Sequence, residues 1–308
     1  MTNALLPCSL RSSGLAVTSD TGQVDDGRES VPGSVSAPGR IRGLLLACHP
    51  LPAAAVTVLT VALGWVAGVS GAVLTTLGAA VLVGQLCVGW VNDLVDRDLD
   101  RASARTDKPV AAGRVGVRDV TVAALAAGVA CVPLSLALGT VPGACHLIAV
   151  AAALAYDVAL KRTVWSWVPY AVGFGLLPVV VWLVSPAAEL PPAWMVAAGA
   201  ALGVGAHGAN VLPDHARDRA AGVMGLPQRL GPQALRTATA AALLTALGLL
   251  ILGPAGSPPT WEWAAFTAGA LLALVAVLPA SGNRAAFPAA IGVGGLAVAV
   301  LFARSALG

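Results

Sequence analysis

Residues 71–100 read GAVLTTLGAAVLVGQLCVGWVNDLVDRDLD. From Gly71 to Val91 no side chain is charged, a run long enough to cross about 30 Å of hydrocarbon as a helix. The stretch then changes character at Asn92-Asp93-Leu94-Val95-Asp96-Arg97-Asp98-Leu99-Asp100. If the helix continues, Asp93, Asp96 and Asp100 fall at i, i+3 and i+7 on one face, with Asn92 and Asp96 as i, i+4 neighbours. Like charges stacked in this way repel. A hard divalent cation relieves that repulsion, and carboxylates with phosphate oxygens are the ligands Mg²⁺ prefers. A solvated, charge-rich loop held at the membrane by its arginines fits the same residues, and this cluster alone does not choose. It is not an EF-hand loop: Asp96, Asp98 and Asp100 match positions 1, 3 and 5, but Arg101 replaces the turn glycine and Asp107 the closing glutamate.

The rest of the chain agrees with a membrane setting. Of 308 residues 57% are hydrophobic and 11% charged, with mean hydropathy +0.82. A soluble protein carries about 25% charge, and a disordered one is apolar-poor, so both are excluded. Apolar runs of spanning length recur at roughly 44–67, 71–91, 120–139, 143–160, 165–185, 193–212, 235–253, 261–279 and 286–303. Strands of a membrane barrel would alternate polar and apolar residues instead. The fold class expected is therefore an all-α polytopic membrane protein, a bundle of about nine transmembrane helices rich in small residues that allow close approach.

Two regions follow. Residues 1–40, rich in Ser, Gly, Asp and Pro, are expected to be a disordered cytoplasmic tail, and residues 41–308 the transmembrane domain. With the N-terminus inside, every Lys and Arg except Arg304 lies in the tail or at the inner ends of the spans, and the opposite connections carry none. That asymmetry predicts a multi-pass cell-membrane protein whose polar loops are cytoplasmic. The net charge of +3 is modest, and no nucleic-acid partner is expected. The five cysteines form no CxxC pair and the four histidines no HExxH pattern, so neither a disulfide framework nor a zinc site is read.

Acidic residues concentrate at the same inner rim. The run from His207 to Arg219 places Asn210, Asp214 and Asp218 at i, i+4 and i+8, close to one helical face, with Pro213 positioned to kink it. An Asn followed by spaced aspartates thus occurs twice, each time at the inner end of an apolar span, which argues for one shared site. Between the two, Tyr156-Asp157 and Lys161-Arg162 close another span. Lys161 and Arg162 serve as ordinary boundary anchors, or they join Arg105, Lys108 and Arg114 in offering cations to anionic oxygens. Carboxylates, a metal and cations together describe a diphosphate pocket.

These residues resemble the UbiA-type intramembrane prenyltransferases. The family's NDxxDxxxD motif is matched by Asn92, Asp93, Asp96 and Asp100, and its DxxxD motif by Asp214 and Asp218. Arg105-Thr106-Asp107-Lys108-Pro109 through Gly113-Arg114 resembles the stretch that commonly follows the first motif, and Tyr156 with Lys161-Arg162 the YxxxxK element. Lys108 stands where Arg is usual. Gly222-Val223-Met224-Gly225-Leu226-Pro227 lacks the Lys many members carry there. The resemblance covers roughly residues 40–303.

It implies a membrane enzyme that transfers a prenyl group from a prenyl diphosphate to an aromatic or lipid acceptor. Asp93, Asp96 and Asp100 would hold one Mg²⁺, and Asp214 and Asp218 a second, with Asp93, Asp96, Asp214 and Asp218 forming the catalytic set. Asn92, Asn210, Arg105, Lys108, Tyr156, Lys161 and Arg162 would grip the diphosphate. Loss of diphosphate leaves an allylic cation that the acceptor attacks, and Trp90, Tyr156, Tyr170 and Phe174 are placed to shield it. Trp165, Trp167, Trp194, Trp261 and Trp263 fall at helix ends and read as interface residues. His207 and His215 read as neutral helix-end histidines rather than bases. An alternative is a membrane terpene cyclase of the same superfamily, in which the cation closes on itself. A transporter would hold ionisable groups at mid-membrane, and these spans are almost free of them.

Overall fold

The computed structural model describes residues 37–103, 105–278 and 285–307, and among them every regular element is helical. The helices are α1 (Ala37–Ala47), α2 (Pro50–Val66), α3 (Gly71–Ala102), α4 (Val117–Leu136), α5 (Thr140–Val158), α6 (Val168–Val184), α7 (Ala193–Val211), α8 (His215–Ala220), α9 (Leu226–Leu252), α10 (Thr260–Val277) and α11 (Ala286–Leu307). The expected tail lies outside the described residues as far as residue 36, and its last residues already belong to α1.

Seven of these helices are long and apolar enough to cross a membrane, and α1 with α2 make an eighth if the bent pair is one span. α6 is also apolar but has 17 residues, at the short end of the spanning range. The expected bundle of about nine spans is thus present in outline, with departures in detail. The run 44–67, read as one span, is two helices bent by 62°. Pro50 and Pro52 can only open a helix here, and His49 adopts a left-handed backbone at φ 55°. Cys48 at this elbow packs onto α3 at Gly89, where a Cβ would overlap the Cys48 carbonyl. α9 is kinked at Gly231, whose backbone is left-handed at φ 77°: a short first piece from Leu226 precedes it, and the apolar run resumes at Pro232, close to the expected start near 235.

The helices close into a ring. α2 packs on α3, α3 on α4 and α5, α5 on α6, α6 on α7, α7 on α9, α9 on α10 and α10 on α11, which returns to α2 and α7. α4 lies outside it against α3 and α5, and presents Val122, Leu125 and Val129 outward, the last 73% exposed. In a membrane chain such a face meets lipid.

A tight seam of the ring joins α6 to α7. On α7, Gly199 and Gly203 sit four apart, and a Cβ at 199 would be 2.5 Å from the Phe174 carbonyl oxygen, while one at 203 would overlap that of Tyr170. Glycine at this spacing lets two helix backbones touch without a hydrophobic driving force between them. The contact fixes the stretch of α6 that carries Tyr170 and Phe174.

Candidate active site

α3 runs unbroken through both halves of the stretch 71–100, so its 32 residues carry the acidic face out of the apolar bundle. A cavity of about 430 Å³ opens at this end of the ring. Asn92, Asp96 and Asp100 line it from α3, Tyr156, Asp157 and Lys161 from the end of α5, and Asn210, Asp214 and Asp218 from the end of α7 and beyond. Pro213 interrupts α7 as a 3-10 turn over Leu212–Asp214, after which α8 continues. The two acidic clusters, remote in sequence, therefore share one chamber.

Cations sit between the carboxylates. Lys161 makes an ion pair with Asp96. Lys108 Nζ lies 3.4 Å from Asp93, 4.0 Å from Asp100 and 3.0 Å from His49 Nε2, and it donates to Asn92 Oδ1 at 3.4 Å. Arg105 reaches across both clusters, 3.4 Å from Asp214 and 4.0 Å from Asp100. It also donates to both oxygens of Asp107, at 3.1 and 2.6 Å. Those bonds hold the Asp107 carboxyl down at about 2 and the guanidinium firmly protonated. Asn92 Nδ2 donates to Asp157 at 2.7 Å, and Gln228 Nε2 to Asp218 at 3.0 Å.

Not every expected residue faces the chamber. Asp93 is 1% exposed and turned into the wall, where its Oδ2 accepts the Val110 N–H at 3.2 Å. Arg162 follows Lys161 in a 3-10 turn after α5 but points outward and is exposed. Arg114 is likewise exposed and donates to the Thr106 carbonyl. Trp90 is not a cavity residue: its Nε1 donates to Leu44 O at 2.9 Å and ties α3 to α1. Tyr156, Tyr170 and Phe174 do line the chamber. Tyr170 meets the His207 ring at 4.7 Å and the edge of Tyr156 at 5.2 Å, an aromatic corner. His215 instead lies buried with Nε2 3.2 Å from Pro227 O.

Four cavity residues, His49, Asp157, Gln228 and His146, were not singled out as site residues from sequence. Asp157 had a signal, a carboxylate beside Tyr156 at the rim. His49 and Gln228 had none, since His49 sits at the elbow between α1 and α2 and Gln228 in the short piece of α9 ahead of Gly231, neither of which periodicity records.

Among the described residues no three of His, Cys, Asp and Glu converge to hold a metal by themselves. Yet Asp100 Oδ2 and Asp157 Oδ2 are buried without a hydrogen-bond partner, which is costly unless something else meets them. Mg²⁺ is characteristically held by one or two carboxylates with the remaining ligands from water and substrate phosphate. Asp96 and Asp100 on one wall and Asp214 and Asp218 on the other fit that pattern. Carboxylates suited to a metal, interleaved with Lys and Arg suited to anionic oxygens, have the chemistry a metal-bound polyphosphate requires. The apolar chamber behind them suits a hydrocarbon tail.

The model of the UbiA prenyltransferase family matches residues 51–291. No curated protein matches the chain in sequence. Among solved structures, the apo form of a UbiA homolog from Aeropyrum pernix K1 is 20% identical with a TM-score of 0.63, over 80% of this chain and 97% of that one. A UbiA homolog from Archaeoglobus fulgidus bound to GPP and Mg²⁺ is 18% identical with a TM-score of 0.65, over 86% and 99%. A digeranylgeranylglyceryl phosphate synthase is 13% identical with a TM-score of 0.61, over 86% and 98%.

Proposed function

The chain belongs to the UbiA prenyltransferase family, and we propose that it takes a prenyl group from its diphosphate, with Mg²⁺, and transfers it inside the membrane to an aromatic or lipid acceptor. The observation that carries this reading is the convergence of both acidic clusters on one cavity, with Lys161, Lys108 and Arg105 between them. The Archaeoglobus fulgidus homolog holding GPP and Mg²⁺ supports the substrate class. Facing the polar end to the cytoplasm would follow from the distribution of Lys and Arg.

Each group then has a task. Asp96, Asp100, Asp214 and Asp218 would hold Mg²⁺, which would neutralise charge on the diphosphate. Lys161, Lys108 and Arg105 exchange their carboxylate partners for phosphate oxygens and steady the charge that builds as the C1–O bond breaks. Asn92 and Asn210 orient those oxygens. Asp93 acts one step back, holding Lys108 and the Val110 backbone in place. The Tyr156, Tyr170 and Phe174 faces line the path of the allylic cation, and the acceptor's nucleophile closes the reaction at C1.

The test uses the purified protein in lipid nanodiscs with prenyl diphosphates, Mg²⁺ and panels of aromatic and lipid acceptors, reading diphosphate release and prenylated product. D96N and D214N are each expected to lose about 100-fold or more in release, as does removal of metal with chelator. Near-wild-type release by either variant rejects the shared two-cluster site.

A further inference from the structure

The carboxylates of the chamber are not equivalent. Asp96 pairs with Lys161, Asp100 lies 4.0 Å from both Lys108 and Arg105, and Asp214 lies 3.0 Å from Arg217 and 3.4 Å from Arg105. Of the four aspartates assigned to the metal, Asp218 alone makes no ion pair with a described residue. Its partner is a neutral amide, Gln228 Nε2, which donates to Oδ2 at 3.0 Å. Asp157 is also held by an amide, but it is 2% exposed and its second oxygen is sealed in. Asp218 is half-buried and open to the chamber.

Gln228 is itself held firmly. It is buried in the short helical piece ahead of Gly231. Its carbonyl accepts from Arg219 Nη1 at 2.8 Å, and the Pro227 carbonyl lies 3.2 Å from His215 Nε2, so α8 grips this piece. Leu226 N–H donates to Thr163 O at 3.1 Å, and a Cβ at Gly225 would be 2.5 Å from the Lys161 carbonyl. The residues leading to Gln228 therefore rest on the same turn that carries Lys161 to Asp96. At the far end of the amide, Oε1 is buried with no hydrogen-bond partner, which costs stability. Among the described residues, the amide's one hydrogen bond goes to Asp218.

A carboxylate matched by Lys or Arg must give up that partner to meet a metal, and the displaced cation stays close enough to repel it. A neutral donor orients the carboxylate and leaves its charge for the metal. We propose that the two clusters load in order. One divalent cation binds at Asp218, positioned by Gln228, in the substrate-free protein. Asp214 joins it readily, since its pair with Arg217 is half exposed and weak. The α3 cluster takes its metal only together with the diphosphate, whose oxygens draw Lys161, Lys108 and Arg105 away from Asp96 and Asp100. Gln228 is thus a positioning residue for the first metal. This order rests on the prenyl-diphosphate reading above.

The experiment titrates Mn²⁺, a paramagnetic stand-in for Mg²⁺, into the protein in nanodiscs of uncharged lipid, with and without inorganic pyrophosphate, and counts bound metal by electron paramagnetic resonance. Wild type is expected to bind one Mn²⁺ per chain without pyrophosphate and two with it. Q228M, which keeps the length but not the amide, weakens the first Mn²⁺ by about 10-fold or more. Q228K, which sets a cation beside Asp218, removes it. D96N keeps the first metal and loses the one that needs pyrophosphate, whereas D218N loses the first. If the Gln228 variants do not fold, D96N against D218N carries the comparison. A purely structural glutamine would lower Tm in Q228M and leave Mn²⁺ affinity within about 2-fold of wild type, and that result overturns the proposal. So does wild type that binds two metals, or none, before pyrophosphate is added. No Mn²⁺ bound even with pyrophosphate overturns the metal–diphosphate reading instead.

Discussion

Asp107 and Arg105 lie in the connection between α3 and α4, where one cation holds a local carboxylate and a distant one together. Replacing Asp107 removes two hydrogen bonds from Arg105 but leaves Asp214 and Asp100 in reach, so D107N is expected to weaken diphosphate binding by loosening the guanidinium. The sign of its pH dependence is fixed. The folded carboxyl, at about 2, lies below its ordinary value, so its contribution is complete above about pH 4 and lost only as pH falls through about 2. The ratio of wild-type to D107N activity should therefore be flat between about pH 5 and 8, and a slope there would place another titrating group on Arg105. Lys161 and Arg162 show what a sequence leaves open at this scale. Both read as cations at a span end, but only a 3-10 turn after α5 decides that Lys161 turns inward to Asp96 and Arg162 outward. Asp96 and Asp100 were legible for the opposite reason: a continuous helix carries its own angular register, and α3 keeps it, whereas the wall position of Asp93 was not legible.

At the level of elements, the α6–α7 seam governs the chamber wall. G203A is expected to push α6 away at Tyr170, lowering stability by about 1–3 kcal/mol and activity more than stability, because the aromatic corner moves with the helix. Thermal melting in nanodiscs alongside turnover checks this, and unchanged turnover with a lowered Tm would separate the seam from the site. The existence of apolar helices was readable from run length. Their breaks were less so. The run 44–67 is apolar on both sides of Cys48-His49, so composition gives no boundary there, and the elbow comes from prolines and a left-handed residue. The short helical piece ahead of Gly231 in α9 is hidden similarly, since it carries Gln228 and Arg229 and does not read as part of a span.

For the molecule as a whole, Arg304 was the lone exception to the basic-residue asymmetry, and the structure resolves it. Its guanidinium pairs with Glu262, 1% exposed in the first turn of α10, and also donates to Ile251 O at the end of α9 at 3.1 Å. E262Q leaves that cation half-satisfied and is expected to cost about 3 kcal/mol, seen as a lower Tm. E262L with R304M should recover most of it, since a well-packed apolar pair replaces a buried ionic one without loss. The same corner bears on how the protein comes to exist. α11 is made after the other described helices, yet it touches α2, near the start of the described residues, and contributes Phe287 to the chamber lining. Until α11 leaves the ribosome and inserts, the ring has a slot facing lipid where a wall should be. The chamber is thus closed only once α11 is in place, and a chain cut short before α11 would keep every acidic motif while lacking the vessel they serve.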